Sequence, residues 1–141
     1  MSEQTTATPD QSVIDYVKEH RAAVLATTNK SGTPQQTLIG YRMRGDEIVI
    51  STRRATLKAK NLSVRPHASL AIIDGRNQVI VHGRVKTIRD AATVLAIHKE
   101  AGLLADRQTS DQEFAKILLD EDRVILQVKP ERYYPTAIRQ R

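Results

Sequence analysis

The fold is decided by AAVLATTNKSGTPQQTLIGYRMRGDEIVIST, residues 22–52. Its apolar and β-branched residues fall into three runs, 22–28, 35–43 and 48–52, which have the length and composition of strands. The segments between them, NKSGTP and RGDE, are rich in the residues that form tight turns. Because parallel strands need a crossover of a dozen or more residues, turns this short predict an antiparallel meander.

The rest of the chain adds three strands and several helices. Strands are predicted at 67–73, 78–88 and 122–134, which brings the number of strands to six. The whole pattern indicates a mainly β fold, a compact antiparallel barrel with α inserts. In the helix before Pro66, Leu57, Asn61 and Val64 are predicted to share one face. Helices are predicted at 12–20, at 56–64 with Thr56 as cap, from Asp90 to Gly102, and after a capping box of Ser110 and Glu113.

Length and composition describe an ordinary globular protein. The chain has 141 residues and no cysteine, so a single domain is expected and disulfides and cysteine chemistry are excluded. Residues 1–11 are polar and are predicted to be a flexible tail, with the domain spanning 12–141. Neither a secretory signal nor a membrane-spanning run is recognisable, so a cytoplasmic protein without a membrane partner is expected.

The charge balance predicts an anionic partner. Lys and Arg number 22 against 16 Asp and Glu, a net charge of +6. Nucleic acid is the less favoured anion, because aromatic residues make up only 4% of the chain and Trp is absent, whereas single-strand binders use aromatic platforms. No helix-turn-helix, zinc-finger or RNA-recognition signature is present in the sequence. A phosphorylated or carboxylated small molecule is the favoured partner.

The basic segment ISTRRATLKAKNLSVRP, residues 50–66, is the place where such an anion is predicted to bind. If Thr56 begins a helix, its free backbone N–H groups meet the hydroxyls of Ser51 and Thr52 and the ammonium of Lys58. These donors together form a phosphate site. The alternative is a basic helix that only solvates its outer face.

Arg53 and Arg54 add to this argument. They precede a helix N-terminus, where a cation costs up to about 1 kcal/mol unless an anion neutralises it.

Other chemical signals are weak. The sequence has no nucleophile elbow, P-loop or dinucleotide fingerprint. The cluster DEDR, residues 120–123, is interpreted as a solvated turn, and Tyr133 and Tyr134 as packing residues. No metal site is predicted, because the histidines fall on separate elements without metal-ligand spacing: His20, His67, His82 and His98. An anion site without acid, base or metal indicates either a pure binder or an enzyme whose cofactor supplies the chemistry.

The order of these motifs resembles the pyridoxamine 5'-phosphate oxidase-like family, the flavin-binding split β-barrels. The resemblance covers residues 21–89 and the strand 122–134, and it rests on SGTP, on Lys58 followed by NL, on RPHASLAI and on QVIVHG. It implies a six-stranded antiparallel split β-barrel that forms a homodimer, with FMN or the deazaflavin coenzyme F420 bound in a cleft between the subunits.

The resemblance also implies which residues bind the cofactor. The strand 37–42 would line the ring and ribityl chain, Thr52, Thr56 and Lys58 would hold the phosphate, and Gln78 would face the cofactor. The chain has Leu57 where the oxidases place Arg, and it lacks their C-terminal segment with Trp and Arg, so oxidation of pyridoxamine phosphate itself is not expected.

The short length and the segment RR-x-T-x-K-x-KN look more like the F420-dependent branch. F420 carries a phosphodiester and a polyglutamate tail, which Lys58 and the cations around it would match. The function implied is an F420H2-dependent oxidoreductase that transfers a hydride to an unsaturated small-molecule substrate. Tyr41 and His82 are speculative proton donors, and the loop 102–112 is expected to wall the substrate pocket.

Two alternatives remain open: an FMN-binding reductase or oxidase of the same fold, and a non-catalytic F420 carrier. The predicted cofactor-binding set is Thr37, Leu38, Ile39, Arg42, Ser51, Thr52, Arg53, Arg54, Thr56, Lys58, Lys60, Asn61 and Gln78.

Overall fold

A computed structural model describes residues 9–136 and confirms a mainly β fold with α inserts. The strands are β1 (Ala22–Thr28), β2 (Pro34–Gly40), β3 (Arg42–Arg44), β4 (Glu47–Arg53), β5 (His67–Asp74), β6 (Asn77–Ile88) and β7 (Arg123–Thr136). The helices are α1 (Gln11–Glu19), α2 (Leu57–Val64), α3 (Ala91–Ala101) and α4 (Asp111–Asp120), with a 3-10 turn at Ala105–Arg107. Most of the predicted tail lies outside the described residues.

The strands form one antiparallel sheet in the order β2-β1-β5-β6-β7-β4-β3. Its two edge strands, β2 and β3, are consecutive in the chain and are joined through Tyr41 alone. Because one short connection links the two edges, the sheet must curl, and it forms a half-barrel.

The prediction of six strands is wrong by one, because the run 35–43 splits at Tyr41. The Tyr41 amide donates to the carbonyl of Arg21 at 2.9 Å instead of to a neighbouring strand. Before this corner the chain pairs with β1, and after it with β4. The predicted meander is therefore interrupted, and β4 pairs with β7 rather than with β2.

The core lies inside the curl of the sheet and is closed by α1. Residues such as Leu25, Leu70 and Val81 face inwards, and each is 1% exposed or less. Helix α1 buries Val13, Tyr16 and Val17 against them. Its packing is fixed by two tyrosine hydroxyls, since Tyr41 donates to the Val17 carbonyl at 2.6 Å and Tyr16 to the Ile72 carbonyl at 2.9 Å.

A second apolar cluster lies on the outer face of β4 and β7. Helices α3 and α4 cover Val49 and Ile125 there, with Ile97 and Phe114 at the centre. The predicted ends of these helices are confirmed: Asp90 accepts from the Thr93 amide, Ser110 accepts from the Glu113 amide, and Gly102 ends α3 with a φ of 75°.

Helix α2 crosses the end of the barrel above β1. Its cap is confirmed, because Thr56 Oγ1 accepts from the Ala59 amide at 3.4 Å. The predicted face is wrong for two of its three residues: Asn61 is buried, but Leu57 is 49% and Val64 69% exposed, and Ala59 and Leu62 are buried instead. The helix is only eight residues long, and its position against β1 decides which side is covered. None of the helices within residues 9–136 has the length and apolarity to span a membrane.

Candidate functional site

The junction between β4 and α2 is organised by two threonines. Thr52, 3% exposed, places its hydroxyl 3.1 Å from that of Thr56. The Thr56 hydroxyl in turn donates to the Arg53 carbonyl at 2.9 Å and caps the Ala59 amide. The amides of Leu57 and Lys58 in the same first turn have no acceptor within the helix, as at every helix start. The junction therefore presents free backbone donors beside a fixed hydroxyl pair.

Lys58 is the cation that this junction leaves without a partner. Its side chain is half-buried, and no carboxylate of residues 9–136 lies within 4.0 Å of its ammonium. Burial, together with the charge of Arg123, lowers the pKa of Lys58. A bound anion would offset both effects, because it stabilises the charged form of the amine.

Arg53 and Arg54, in contrast, have partners within the chain. Arg53 Nη2 lies 3.8 Å from Glu121 Oε1, and Arg54 Nε lies 3.4 Å from Asp122 Oδ1. The Arg54 amide also donates to the Asp122 carbonyl at 2.9 Å. The turn before β7 thus supplies the anions that the sequence argument required, so these two arginines alone do not indicate a ligand.

Glu121 corrects the interpretation of DEDR as a solvated turn. Its side chain is only 16% exposed, and it accepts hydrogen bonds from Arg107 and, at 2.9 Å, from Arg123. The Arg107 hydrogen bond, followed by that of Arg123 and the charges of both, lowers the pKa of Glu121 to about 2 even though burial opposes it. This carboxylate ties the 3-10 turn to the start of β7.

Ser51 and Thr52 lie on opposite faces of β4, as the alternation of a strand requires. Thr52 faces α2, whereas Ser51 faces α3, where its Oγ lies 2.7 Å from His98 Nε2. The residues predicted to bind phosphate therefore do not all face the same site, because the Ser51 hydroxyl is hydrogen-bonded to His98 on the α3 side of β4. The sequence did not reveal the contact between Ser51 and His98, because 47 residues separate them and no local pattern links them.

A cleft of about 430 Å³ opens beside Ser51. Arg42 and Gly40 form one side of it, and residues 103–106 form the other. Residues 103–106 belong to the loop 102–112, whose role as a wall of the substrate pocket stays a prediction. Arg42 donates from Nη1 to the Tyr41 carbonyl at 2.8 Å, which fixes the arginine at the strand corner.

Asn61 and Lys60 lie on different sides of α2. Asn61, 3% exposed, donates to Thr27 Oγ1 at 3.1 Å and to Asn29 Oδ1 at 3.0 Å, so its amide attaches the helix to β1. Arg65 Nη2 donates to its oxygen at 3.3 Å. Asn61 therefore positions α2, whereas Lys60 is exposed.

The predicted positions on β2 and β6 belong to strands that are not hydrogen-bonded to β4. Ile39 is buried inside the barrel, Thr37 is half-buried, and Leu38 is 73% exposed on the outer face. Gln78 is half-buried opposite Ile73.

The structure excludes one speculative proton donor and places the other on the outer face. Tyr41 is fully buried, its hydroxyl is bonded to Val17, and burial raises its pKa. His82 packs against Tyr134 with ring centroids 4.6 Å apart and the ring planes tilted by 51°, and it lines a second cleft of about 410 Å³ together with His67. Residues 9–136 contain no group of three or more His, Asp or Glu that is arranged to hold a metal ion.

Comparison with known proteins identifies the family. The family model described as pyridoxamine 5'-phosphate oxidase matches residues 10–137. The chain belongs to the pyridoxamine 5'-phosphate oxidase family. Among curated proteins none matches this sequence.

Solved structures share this fold at low sequence identity. A conserved hypothetical protein of Mycobacterium tuberculosis is 20% identical with a TM-score of 0.71, over 91% of this chain and 84% of that one. An F420 reductase is 21% identical with a TM-score of 0.65, and the match covers 84% of this chain and 93% of that one. An FAD-binding protein of Mesorhizobium loti is 16% identical with a TM-score of 0.68, and the match covers 97% of this chain and 100% of that one. These likenesses show the fold of the chain and not its cofactor.

Proposed function

We propose that this protein is an F420H2-dependent reductase that transfers a hydride from the deazaflavin to an unsaturated small molecule. The observation that carries the proposal is Lys58, a half-buried cation without a carboxylate partner among the described residues, at the start of α2. Partial burial of a charge without a carboxylate partner is unfavourable, and a bound anion would offset this cost. Membership of the family and the likeness to an F420 reductase support a phosphorylated redox cofactor as that anion.

The junction has the donors that a cofactor phosphate needs. Lys58 supplies a charge, the first-turn amides of α2 supply N–H groups, and Thr56 holds the turn in place. Charge-assisted hydrogen bonds of this kind are the stronger ones in proteins. We assign the phosphate to this junction.

The acidic tail of F420 would lie along Arg53, Arg54 and Lys60. The two arginines would exchange Glu121 and Asp122 for carboxylates of the tail. Their side chains are 59% and 48% exposed, and exposed ion pairs contribute only about 0 to 1 kcal/mol, so this exchange costs little.

The reactive ring would lie against the strand 37–42, next to the cleft beside Ser51. The deazaflavin supplies the hydride when it is bound. The protein would orient the substrate over the ring and exclude water from it. A second copy of the chain, as the family resemblance implies, would cover the outer face, where Leu38 and Ile73 are 73% and 56% exposed.

An FMN-binding reductase or oxidase is the second candidate function, and one observation favours it. Because Arg53 and Arg54 already have carboxylate partners, the argument for an acidic tail is weaker than the argument for a phosphate. FMN has the phosphate without the tail. A non-catalytic F420 carrier would use the same contacts as the reductase.

The experiment is a separate fluorescence titration of the purified protein with F420 and with FMN, followed by turnover of reduced F420 with enones and quinones. We expect F420 to bind at micromolar concentration or tighter, FMN to bind more weakly, and reduced F420 to be oxidised. A protein that purifies yellow with a flavin spectrum and ignores F420 would identify the FMN alternative. Tight binding of F420 without turnover of any substrate would identify a carrier.

A further inference from the structure

Ser51 and His98 form a hydrogen-bonded pair that cofactor binding does not require. His98 is fully buried between α3 and β4, and its Nε2 lies 2.7 Å from Ser51 Oγ. The edge of Phe114 packs against the imidazole with ring centroids 5.7 Å apart. A buried polar ring in an otherwise apolar cluster needs partners for both nitrogens, and Ser51 provides one of them.

The second partner of the imidazole fixes its tautomer. His98 Nδ1 lies 2.7 Å from the Val94 carbonyl, which accepts only, so Nδ1 must carry a hydrogen. In the neutral ring Nε2 then has a lone pair, and the Ser51 hydroxyl donates to it. Burial and the charge of Arg123 lower the pKa of His98, so the neutral ring is the resting form near neutral pH. The neutral Nε2 of His98 is therefore a base in hydrogen-bond contact with the Ser51 hydroxyl.

The charged groups around the pair are mostly paired with one another. Arg44 binds Glu100 at 3.2 Å and Lys99 binds Asp111 at 2.6 Å, whereas Arg107, Arg123 and Arg53 share the single carboxylate of Glu121 and keep a net positive charge. Arg42 and Asp106 face the cleft itself. Elements that pack against His98 thus place no carboxylate on either ring nitrogen, and Ser51 is the route by which a proton reaches the ring.

Ser51 also lines the cleft of about 430 Å³ on its other side. Its oxygen has two acceptor positions and one hydrogen, and His98 takes only the hydrogen. The guanidinium of Arg42 is on the same wall of the cleft and has no carboxylate partner among residues 9–136. A small anionic molecule with a carbonyl or hydroxyl oxygen is the class of ligand that this wall fits.

We propose that Ser51 is the catalytic proton donor and acceptor of this cleft, and that His98 is the positioning residue that supplies and takes up its proton. The proposal rests on the proposed function, because the hydride must come from the cofactor. It provides the proton source that the sequence did not reveal.

The proton transfer is balanced as follows. In reduction the hydride adds to an electrophilic carbon of the substrate, and the electron pair of the carbonyl moves onto its oxygen. Because the resting ring is neutral, His98 must first take up a solvent proton at Nε2 through Ser51. The substrate oxygen then takes the proton of Ser51, and Ser51 takes the Nε2 proton of the imidazolium, which leaves the imidazole neutral again. In oxidation of an alcohol the same protons move in the opposite direction, from the substrate hydroxyl to Ser51 and from Ser51 to neutral His98. The reduction therefore slows as pH rises above the pKa of His98, and the oxidation accelerates.

The test compares Ser51→Ala, Ser51→Thr and His98→Gln with the unchanged protein. Gln keeps a donor and an acceptor near the positions of the ring nitrogens but does not titrate. The controls are Ser12→Ala and His67→Gln, which alter an exposed serine on α1 and an exposed histidine on β5. Cofactor affinity, single-turnover hydride transfer and the pH profile of kcat are measured on each full chain.

We expect every variant to bind the cofactor as the unchanged protein does. Hydride transfer should be about 100-fold slower or more in Ser51→Ala, the usual minimum for loss of a general acid, and it should be restored in large part in Ser51→Thr. His98→Gln should abolish the pH dependence assigned to His98.

A second readout does not depend on turnover. The imidazole nitrogens of His98, observed by NMR in the cofactor-free chain, should report the Nδ1–H tautomer. The pKa of His98 should rise in Ser51→Ala, because the neutral ring loses its donor.

Three results are distinguishable. An unchanged hydride-transfer rate and pH profile in Ser51→Ala, with normal cofactor binding, overturn this proposal and leave the proposed function standing. An Nε2–H tautomer of His98 also overturns it. If the unchanged protein binds neither F420 nor FMN, the proposed function fails, and the assignment of Ser51 fails with it.

Discussion

The hydroxyls of Thr52 and Thr56 lie 3.1 Å apart and join the end of β4 to the cap of α2. This contact fixes the residue at which the helix begins, and it thereby fixes the position of the free first-turn amides and of Lys58. Replacing Thr56 by Ala should lower the free energy of unfolding by about 1 kcal/mol, the usual cost of losing an N-cap. Thr56→Ser keeps the hydroxyl and should be close to the unchanged protein. Urea denaturation measures both, and equal stabilities of the two variants would contradict the capping role.

Gly83 should tolerate no side chain. A Cβ at this position would lie 2.6 Å from Val128 Cγ1 and 2.7 Å from the Lys129 carbonyl oxygen, next to the register shift between β6 and β7. Both neighbours belong to the longest strand pairing of the sheet and cannot move freely. Gly83→Ala should therefore lower the free energy of unfolding by about 1 to 3 kcal/mol or prevent folding.

Gly40→Ala is the matched control for Gly83→Ala. The nearest atom to its added Cβ would be the Arg21 carbonyl oxygen at 3.6 Å, an ordinary contact. Thermal unfolding should separate the two variants clearly. An equal loss of stability in both variants would contradict the close approach of β7 to Gly83.

His20 should stabilise the protein only while it is charged. Burial opposes its charge, but hydrogen bonds to the Tyr16 carbonyl at 2.7 Å and to Asp74 at 3.0 Å outweigh burial and raise its pKa above the ordinary 6.5. The stabilisation is thus fully present below pH 6.5 and is lost as pH rises through the folded-state pKa. The difference in stability between the unchanged protein and Asp74→Asn should shrink over that range. A difference that does not change with pH would contradict this account.

Glu121 should have the opposite dependence, at lower pH. Its pKa of about 2 in the folded state, against 4.5 as the reference value, means that its stabilisation is present above pH 4.5. The stabilisation is lost as pH falls towards 2, because the carboxylate then protonates and releases Arg107 and Arg123. Glu121→Gln should remove this acid sensitivity, whereas Glu131→Gln, on an exposed side chain, should keep it. Acid titration followed by circular dichroism distinguishes them.

Local signals predicted the parts of the fold that depend on neighbouring residues. The caps at Thr56, Asp90 and Ser110 and the end of α3 at Gly102 were predictable because a cap and its amides lie within four residues of each other. Six strand segments were likewise predictable from composition, because the alternation of side chains is a property of the strand itself.

Features that depend on distant contacts were not predictable. The corner at Tyr41 exists because its amide meets Arg21, twenty positions earlier in the chain. Ser51 contacts His98 only when α3 packs on β4, and Arg53 contacts Glu121 only when β4 pairs with β7. Exposure of Leu57 likewise reflects where the barrel meets α2, and no periodicity within eight residues contains that information.

The central claim is that the start of α2 is a receptor for a phosphorylated cofactor, and Lys58 tests it most directly. The measurement is the affinity of F420, and separately of FMN, for the unchanged protein, Lys58→Ala and Lys116→Ala. Lys116→Ala is a matched control, because it also removes one lysine charge, but from an exposed ion pair with Asp120 on α4. Lys58→Ala should weaken the bound cofactor by about 1.5 to 3 kcal/mol, the value of a hydrogen bond to a charged group, and Lys116→Ala should leave it unchanged. An affinity that is the same in all three proteins would contradict the claim.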